Sequence, residues 1–421
     1  MVDRRIFLQF VGALTSWRNW PAAVHATQDE SPPAPSIYDE LGVRPCINAA
    51  GGYTDLGGAL MPEEVTEAMR EASRRSVSIT QLQEAVGKRI ASLVGCQAEL
   101  VTAGCASSLN LATAACVAGN DPEKIWRLPN TTGMTNEVIV QKTHRFEYDH
   151  AIRNVGVKLV EIETREELKA AVIDRTAMLF FLNAADLKGK IRREEFAQLG
   201  NALKIPTLID AAADLPPVEN LSLFPRIGYD LICFSGGKSL RGPQCSGLLL
   251  GKKELIKAAF LNGPPHSDTV GRVSKVGKEE IVGAYRALDL FLRTDHAAEW
   301  AEWERRVALI SRQLSLIPGV RTAMVVPEIP HHRPQLRVQW DQQRISLSPK
   351  NVVEMLRSGN PRIELPPGSE ESPEGLDVAV WMLRANEETI VARRFSEVFM
   401  QGAKTNTTGQ TDKTWCVCSP L

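Results

Sequence analysis

A lysine flanked by small residues is the first candidate for chemistry in this sequence. The stretch FSGGKSLRGPQ, residues 234 to 244, places Lys238 between Gly237 and Ser239. A nucleotide-binding P-loop needs the pattern G-x-x-x-x-G-K-[ST], and Ile232 occupies the position of its first glycine. The spacing therefore excludes a P-loop. Because the apolar run YDLICF precedes the turn, Lys238 is predicted to follow a buried strand, at the edge where catalytic side chains of open α/β sheets collect.

Three other features are predicted to lie at the same sheet edge. Asp210 follows the apolar run IPTLI, and His144 follows the run VIVQ. Residues 104 to 108, GCASS, form a small-residue turn before an apolar helix, so free backbone amides and the helix dipole face an anion there. Pyridoxal phosphate needs this set of groups. Its aldehyde forms a Schiff base with a lysine, its phosphate binds at a helix start, and its pyridine nitrogen pairs with a carboxylate.

The elements that position these residues alternate along the chain from residue 37. Predicted strands are NEVIVQ, VKLVEI, AMLFFLN, IPTLID and DLICFS, and predicted helices include PEEVTEAMREASRR, QLQEAVGKRIASLVG and SLNLATAACVAG. This alternation predicts an α/β fold with a mainly parallel sheet that helices cover on both faces. One long helix is predicted over residues 278 to 314, and a smaller α+β domain is predicted to follow it.

Composition excludes several classes of function. The chain has 421 residues, of which 43% are hydrophobic and 24% charged, which is enough for one large core and a smaller one. A net charge of -1 gives no electrostatic footprint for nucleic acid, and no apolar run reaches the length of a membrane span. The 8 cysteines do not make a disulfide scaffold in a chain this long. No metal site is predicted, since Cys416 and Cys418 in the polar tail supply too few ligands.

The first residues resemble a twin-arginine export signal. Arg4 and Arg5 precede a modest apolar stretch, and VHA, which ends at Ala26, offers the small residues that a signal peptidase reads. We therefore predict export to the periplasm, with a disordered extension of a cytoplasmic protein as the alternative. The predicted divisions are a signal peptide at 1–26, a linker at 27–36, a large cofactor-binding domain with an N-terminal arm at 37–290, a small domain with its connecting helix at 291–400, and a flexible tail at 401–421.

Longer stretches of the chain resemble a known family. INAAGGYTDLGGALMPEEVTEAM, LQEAVGKRIASLVGCQAELVTAGCASSLNLATAACVAG, IDAAADLPPVENL, DLICFSGGKSLRGPQCSGLLLGKKELI and SKVGKEEIVGAYRALDLF are similar to the fold-type-I pyridoxal-phosphate family of bacterial selenocysteine synthase and D-glucosaminate-6-phosphate ammonia-lyase. The similarity runs from about residue 37 to residue 400. Its most specific part is the block SGGK…GPQ.SG around Lys238.

The resemblance implies a role for each candidate residue. Lys238 carries the cofactor, and Asp210 pairs with its pyridine nitrogen. His144 occupies the place where such enzymes stack a ring on the cofactor. The phosphate is held by Ser235 together with the turn residues Gly104, Cys105, Ala106 and Ser107.

The resemblance also implies a reaction class. The chain is closer to the ammonia-lyase branch, because no tRNA-binding domain or basic stripe is evident. A small amino acid or amino sugar acid is then the expected substrate, with α-proton removal by Lys238 followed by β-elimination or β-replacement. A racemase or aldolase on the same cofactor, and a non-catalytic binding module that keeps the fold, remain open.

One basic loop is a weaker candidate for substrate binding. Arg272 and Lys275, in PPHSDTVGRVSKVGKEE, could bind a substrate carboxylate or phosphate, or could reach the site of a partner subunit, as the dimeric arrangement of the family suggests. A solvated basic loop is the alternative. The expected assembly is a homodimer or a larger homo-oligomer.

Overall fold

The chain divides into two compact units. A computed structural model of the protein describes residues 36–373 and 375–403. The division falls between Pro45 and Cys46. The first unit contains helix α1 (Ile37–Glu40), which a capping box with Ser36 begins. The predicted signal peptide, nearly all of the linker and most of the predicted tail lie outside the described residues.

A large mainly parallel sheet forms the centre of the second unit. Its strand order is β2-β8-β7-β6-β5-β3-β4, and β8 alone runs antiparallel to its neighbours among the described strands. The predicted α/β class is therefore confirmed. The strands are β2 (Ala98–Thr102), β3 (Glu137–Gln141), β4 (Lys158–Ile162), β5 (Thr176–Leu182), β6 (Thr207–Asp210), β7 (Leu231–Ser235) and β8 (Gly247–Gly251).

Helices pack on both faces of this sheet and bury its strands on both sides. Successive residues of β5 point to opposite cores: Phe181 packs in the core that includes Val86 and Phe196, and Phe180 packs in the core that includes Leu109 and Ile152. The helices up to the end of this region are α2 (Glu63–Ser73), α3 (Ile79–Val94), α4 (Cys105–Ala118), α5 (Pro122–Arg127), α6 (His150–Arg153), α7 (Arg165–Ala171), α8 (Arg193–Leu203), α9 (Asn220–Ile227), α10 (Lys253–Leu261) and α11 (Lys278–Arg293).

The predicted long helix over residues 278 to 314 is wrong. The structure has α11 and a separate helix α12 (His296–Leu314). The break occurs at Thr294 and Asp295, because the Asp295 carboxylate accepts hydrogen bonds from the amides of Ala297 and Ala298 and so begins a new helix. The predicted boundary at residue 290 therefore falls inside the last turn of α11.

A smaller sheet domain with its own core follows. Leu336 and Val338 of its central strand pack with Phe395 and Phe399. Ile47, from the beginning of the second unit, belongs to the same core. The remaining elements are β9 (Val320–Val325), β10 (Gln335–Trp340), β12 (Leu376–Ala379), α13 (Pro349–Ser358) and α14 (Glu387–Gly402), with β1 (Cys46–Asn48) pairing in parallel with β11 (Arg362–Glu364).

None of the helices in the described part of the chain is long and apolar enough to cross a membrane.

Candidate active site

Lys238 lies in the turn that joins β7 to the antiparallel strand β8. The side chain is half-buried, and its Nζ makes no hydrogen bond or ion pair with any described residue. The turn is tight, because a Cβ at Gly237 would lie 2.6 Å from the Cα of Gln244. A Cβ at Gly52 would likewise lie 3.2 Å from the Cα of Lys238. The lysine is therefore fixed from both sides by close backbone contacts while its amine remains free.

Asp210 ends β6, the strand next to the one that leads to Lys238. Its residue is 5% exposed, and its Oδ1 accepts a hydrogen bond of 2.9 Å from the amide of Ala212. Burial raises the pKa of this carboxyl, while the Ala212 amide and the charge of Lys238 act in the opposite direction. A cationic partner in the cavity would favour the ionised form.

Two thiols lie beside this carboxylate. The Sγ of Cys105 is 3.7 Å from Asp210 Oδ1, and Cys233 pairs with Asp210 in the register of β6 and β7. The Sγ atoms of Cys105 and Cys233 and a carboxylate oxygen of Asp210 lie within 4.8 Å of one another. Cys105 belongs to the turn that the resemblance assigns to the phosphate, and the fold places both Cys105 and Cys233 around the carboxylate. Burial holds the pKa of the Cys233 thiol well above its usual range, so this neighbour is neutral.

The start of α4 forms the third wall of the site. Gly104 precedes the helix with φ of 88°, and no side chain of the described residues caps the helix. The first amides of a helix have no partner within it, so those of residues 105 to 107 are available to an anion. The Ser107 Oγ is buried beside them without a hydrogen-bond partner among the described residues. A Cβ at Gly247 would lie 2.6 Å from the carbonyl carbon of Gly104, so β8 supports this helix start closely.

A cavity of about 660 Å³ joins these features. Most of the predicted site residues line it: Lys238, Asp210, Ser235, Gly104, Cys105 and Ala106. The structure does not bring Ser107 to the cavity wall, because this residue turns into the protein and is 5% exposed.

His144 does not lie where the resemblance places a stacking ring. It follows β3 as predicted, but it is 0% exposed and does not line the cavity. Its Nδ1 accepts a hydrogen bond of 3.1 Å from the amide of Leu182, and its ring packs edge-on against Phe181. These contacts hold the imidazole under the sheet edge, and burial lowers its pKa to about 4. The aromatic residues that line the cavity instead are Phe146 and Tyr148.

The basic loop residues also lie away from the cavity of their own chain. Arg272 belongs to a short 3-10 helix (Val270–Val273), and Lys275 is exposed just beyond it. Neither residue lines the cavity.

Sequence patterns missed several polar residues that line the cavity, among them Asp214 and His331. Asp214 lies four residues beyond Asp210 in the same turn, and its carboxyl is buried. His331, in the segment IPHHRPQ, reaches the cavity from the small domain with φ of 60°, and its amide donates to the carbonyl of Ala213. Burial lowers the pKa of His331 to about 3. The repeated acid in DAAAD was a signal for Asp214, whereas the long sequence separation of His331 hid its position.

A buried arginine supports the turn from behind. Arg333 donates from Nη2 to the carbonyl of Leu215 at 2.7 Å and to the Oγ of Ser239, the residue after Lys238. Its guanidinium lies 4.0 Å from the ring centroid of Trp381 and 5.8 Å from that of Trp303. The small domain thus contacts the lysine turn directly.

Pyridoxal phosphate fits this set of residues. A free lysine amine, a buried carboxylate on the next strand and an uncapped helix start lie around one cavity, and these are the groups that its aldehyde, pyridine nitrogen and phosphate require. The buried Ser107 hydroxyl is a further unpaired polar group beside the helix start.

Comparisons with known proteins agree with this fit. A family profile described as L-seryl-tRNA selenium transferase matches residues 46–317. D-glucosaminate-6-phosphate ammonia lyase of Salmonella typhimurium is 28% identical over 336 residues, which cover 77% of this chain and 88% of the relative. A Streptomyces 5'-C-glycyluridine monooxygenase-decarboxylase is 31% identical over 346 residues, which cover 78% of this chain and 83% of the relative.

A comparison with solved structures also shows similarity to the ammonia-lyase. A structure of D-glucosaminate-6-phosphate ammonia-lyase superposes with a TM-score of 0.76 at 26% identity, covering 87% of this chain and 99% of that one. The predicted resemblance is therefore confirmed, and so is its closeness to the ammonia-lyase. The chain therefore belongs to the L-seryl-tRNA selenium transferase family of fold-type-I enzymes that use pyridoxal phosphate.

Proposed function

We propose that this enzyme is a lyase that removes the α-proton of a small amino substrate and eliminates a substituent from the β-carbon. The observation that carries the proposal is the meeting of Lys238, Asp210 and the start of α4 in one cavity of about 660 Å³. The free Nζ of Lys238 is the base that such a reaction needs. An amino acid or an amino sugar acid with a β-hydroxyl group is the proposed substrate class.

Each residue of the site has a distinct proposed role. When bound, pyridoxal phosphate supplies an electron sink for the pair of electrons left on the substrate's α-carbon. Lys238 would hold the cofactor covalently through Nζ, and its freed amine would take the α-proton of the substrate. Asp210 keeps the proton on the pyridine nitrogen. The amides of residues 105 to 107 and the hydroxyl of Ser235 hold the phosphate.

The relatives support a pyridoxal-phosphate enzyme that acts on an amino compound, and they leave both the reaction and the substrate to experiment. The Salmonella relative is named as an ammonia lyase of D-glucosaminate 6-phosphate, which is an amino sugar acid. The Streptomyces relative is named for a different reaction at comparable identity. Similarity alone therefore does not choose among elimination, replacement, racemisation and aldol cleavage.

The absorption spectrum tests the role of Lys238. We expect a visible band in the purified wild type that borohydride reduces, with the reduced cofactor attached to the chain, and no attached cofactor in Lys238→Ala. Lys257→Ala, an exposed lysine on α10, is the matched control and keeps the band. A wild type that stays colourless with added pyridoxal phosphate would favour the binding module.

Product analysis tests the reaction. Wild type is incubated with D-glucosaminate 6-phosphate and with both enantiomers of serine, and ammonia, keto acid and substrate chirality are measured. Ammonia with a keto product supports elimination. Inversion without ammonia indicates a racemase, and formation of glycine from serine indicates an aldolase.

The basic loop is proposed to act across a subunit interface. Since Arg272 and Lys275 lie away from the cavity of their own chain, a substrate-binding role requires a partner subunit. We expect a homodimer by sedimentation and a raised KM in Arg272→Ala, with Lys257→Ala as control. An unchanged KM in the Arg272 variant would leave the loop as solvated surface.

Export is a separate proposal. The paired arginines and the small residues before Thr27 support a twin-arginine signal, and this segment lies outside the described residues. Protein recovered from the native cell is expected in the periplasmic fraction with its N-terminus near Thr27. An intact N-terminus in the cytosolic fraction would contradict the proposal.

A further inference from the structure

Asp214 is a buried carboxyl that the roles given above do not use. It lies in the turn after β6, its residue is 3% exposed, and it lines the cavity. Its Oδ1 has no hydrogen-bond partner among the described residues. Leaving a buried polar atom unpaired destabilises a fold, so a carboxyl kept in this state requires an explanation.

The groups around Asp214 set its protonation. The Asn183 side chain acts on Asp214. The Asn183 Oδ1 accepts a hydrogen bond of 3.4 Å from Arg193 Nη1, and its Nδ2 has no hydrogen bond among the described residues. Burial raises the pKa of Asp214 to about 7, and the charge of Asp210 acts in the same direction. The Asn183 amide and the charges of Lys238 and Arg193 act to lower this pKa. The carboxyl therefore exchanges a proton near neutral pH.

A proton donor besides Lys238 would let the proposed elimination protonate the leaving group while Lys238 takes the α-proton. The amine of Lys238 takes the α-proton, and a departing β-hydroxyl needs a second proton to leave as water. Among the described carboxyl and imidazole groups that line the cavity, Asp210 has the proposed role of pairing with the cofactor nitrogen. Burial lowers the pKa of His331 to about 3 and so favours its neutral form. Asp214 is the remaining acid.

We propose that Asp214 is the general acid that protonates the leaving hydroxyl. The inference rests on the proposed function. As the bond between Cβ and oxygen breaks, the carboxyl proton of Asp214 moves to that oxygen, which leaves as water. Asp214 becomes a carboxylate, and Lys238 becomes an ammonium by taking the α-proton. The two charges compensate each other, and proton return from Lys238 through solvent restores both groups.

Leaving groups that differ in their need for a proton test the proposal. Serine loses hydroxide and requires an acid, whereas β-chloroalanine loses chloride and does not. In Asp214→Asn we expect kcat for serine elimination to fall by about 100-fold or more, and kcat for β-chloroalanine to change by less than about 3-fold. The matched control is Glu99→Gln, which alters a buried carboxyl that is unpaired among the described residues and lies on β2 away from the cavity. We expect it to leave both rates unchanged.

A second measurement does not depend on turnover. The infrared difference spectrum between wild type and Asp214→Asn, both with cofactor bound, is expected to contain the band of a protonated carboxyl that disappears as the pH rises through neutrality. Asp214→Ser provides the same comparison if the asparagine variant fails to fold. A carboxyl ionised throughout this range overturns the proposal.

The outcomes separate this inference from the proposed function. Equal losses with serine and β-chloroalanine, or no loss with either, overturn the role of Asp214 and leave the lyase intact. A wild type that eliminates chloride from β-chloroalanine but no hydroxide from serine also overturns the role of Asp214, because chloride leaves without a proton. A cofactor-loaded wild type that eliminates neither group from these or from D-glucosaminate 6-phosphate overturns the lyase, and the general acid with it.

Discussion

His144 and His331 show how burial sets the protonation of single side chains at this sheet edge. Burial lowers the pKa of His144 to about 4 and that of His331 to about 3, so both rings are neutral at physiological pH. His144 uses the lone pair on Nδ1 to accept the Leu182 amide, which a protonated ring could not do. The neutral ring therefore holds the end of β5 in place.

We predict that His144 makes the fold sensitive to acid. Between pH 6.5 and about 4 the unfolded chain binds a proton at this residue and the folded chain does not, so the free energy of unfolding falls as pH falls through that window. In His144→Asn, whose amide oxygen can still accept the Leu182 amide, the loss between pH 7 and 4.5 should be smaller by about 2 kcal/mol. Urea unfolding of both proteins at pH 7 and 4.5 measures this difference in the free energy of unfolding.

The control for this prediction is His150→Asn, an exposed histidine on α6, which should leave the loss unchanged. Equal losses in wild type and His144→Asn would mean that the ring accepts a proton in the folded state.

The positions of single residues could be predicted from the sequence where a local pattern, such as an apolar run, directly precedes them. Lys238 and Asp210 follow apolar runs directly, so the sequence places them at strand ends. His144 also follows a strand, but whether its ring points into the cavity or under the sheet depends on packing against Phe181, which no local pattern encodes. His331 is brought to the cavity by a separate domain.

At the scale of elements, the start of α4 depends on β8. The two meet so closely that a Cβ at Gly247 would lie 2.6 Å from the carbonyl carbon of Gly104 and 2.9 Å from the amide nitrogen of Cys105. These are backbone atoms, which cannot rotate away. The geometry of the proposed phosphate site is therefore set by the absence of a side chain on the neighbouring strand.

Gly247→Ala is predicted to weaken cofactor binding. The added methyl group must displace the start of α4, which we expect to raise the dissociation constant for pyridoxal phosphate by about 10-fold and to lower stability by about 1 to 3 kcal/mol. Gly95→Ala is the control: its φ of 74° makes alanine costly, but nothing lies within 4 Å of the new Cβ. It should lower stability by about 1 kcal/mol and leave cofactor affinity unchanged. Titration with cofactor and urea unfolding distinguish the two.

Elements were predicted well where periodicity was long and poorly where it was interrupted. β3 to β7 match the predicted strands because each is a bounded apolar run. The strands β2 and β8 are absent from the predicted set. The run GLLLG continues into the helical pattern of α10 after a single residue, so its apolar residues do not distinguish strand from helix. The predicted long helix fails because the side chain of Asp295 caps a new helix, and aspartate favours such cap positions over helix interiors.

At the scale of the whole molecule, Arg333 joins the small domain to the lysine turn. It is fully buried, its Nη1 has no hydrogen bond among the described residues, and burial lowers its pKa to about 9. Such a cation is costly to bury. Its hydrogen bonds to Leu215 and Ser239 therefore position the turn rather than stabilise the fold.

Arg333→Met is predicted to separate these two effects. Removing the buried charge should leave the free energy of unfolding of the cofactor-free protein unchanged or raised, whereas losing a charge-assisted hydrogen bond to the turn should raise the cofactor dissociation constant by about 10-fold. Arg337→Met, which breaks the ion pair between Arg337 on β10 and Asp377 on the neighbouring strand β12, should leave cofactor affinity unchanged. A large loss of stability with intact affinity would show a purely structural role.

The pairing of β1 with β11 has a consequence for when the site forms during synthesis. Cys46 lies opposite Arg362, and the amide of Ala49 donates to the carbonyl of Glu364 at 3.0 Å. The next residues lead to Gly52, which lies against the Cα of Lys238. On the ribosome, this segment has no strand partner until residues 362–364 have emerged. The wall behind the lysine is therefore completed only when nearly the whole chain has been translated, and stable capture of the cofactor should be a late, post-translational event.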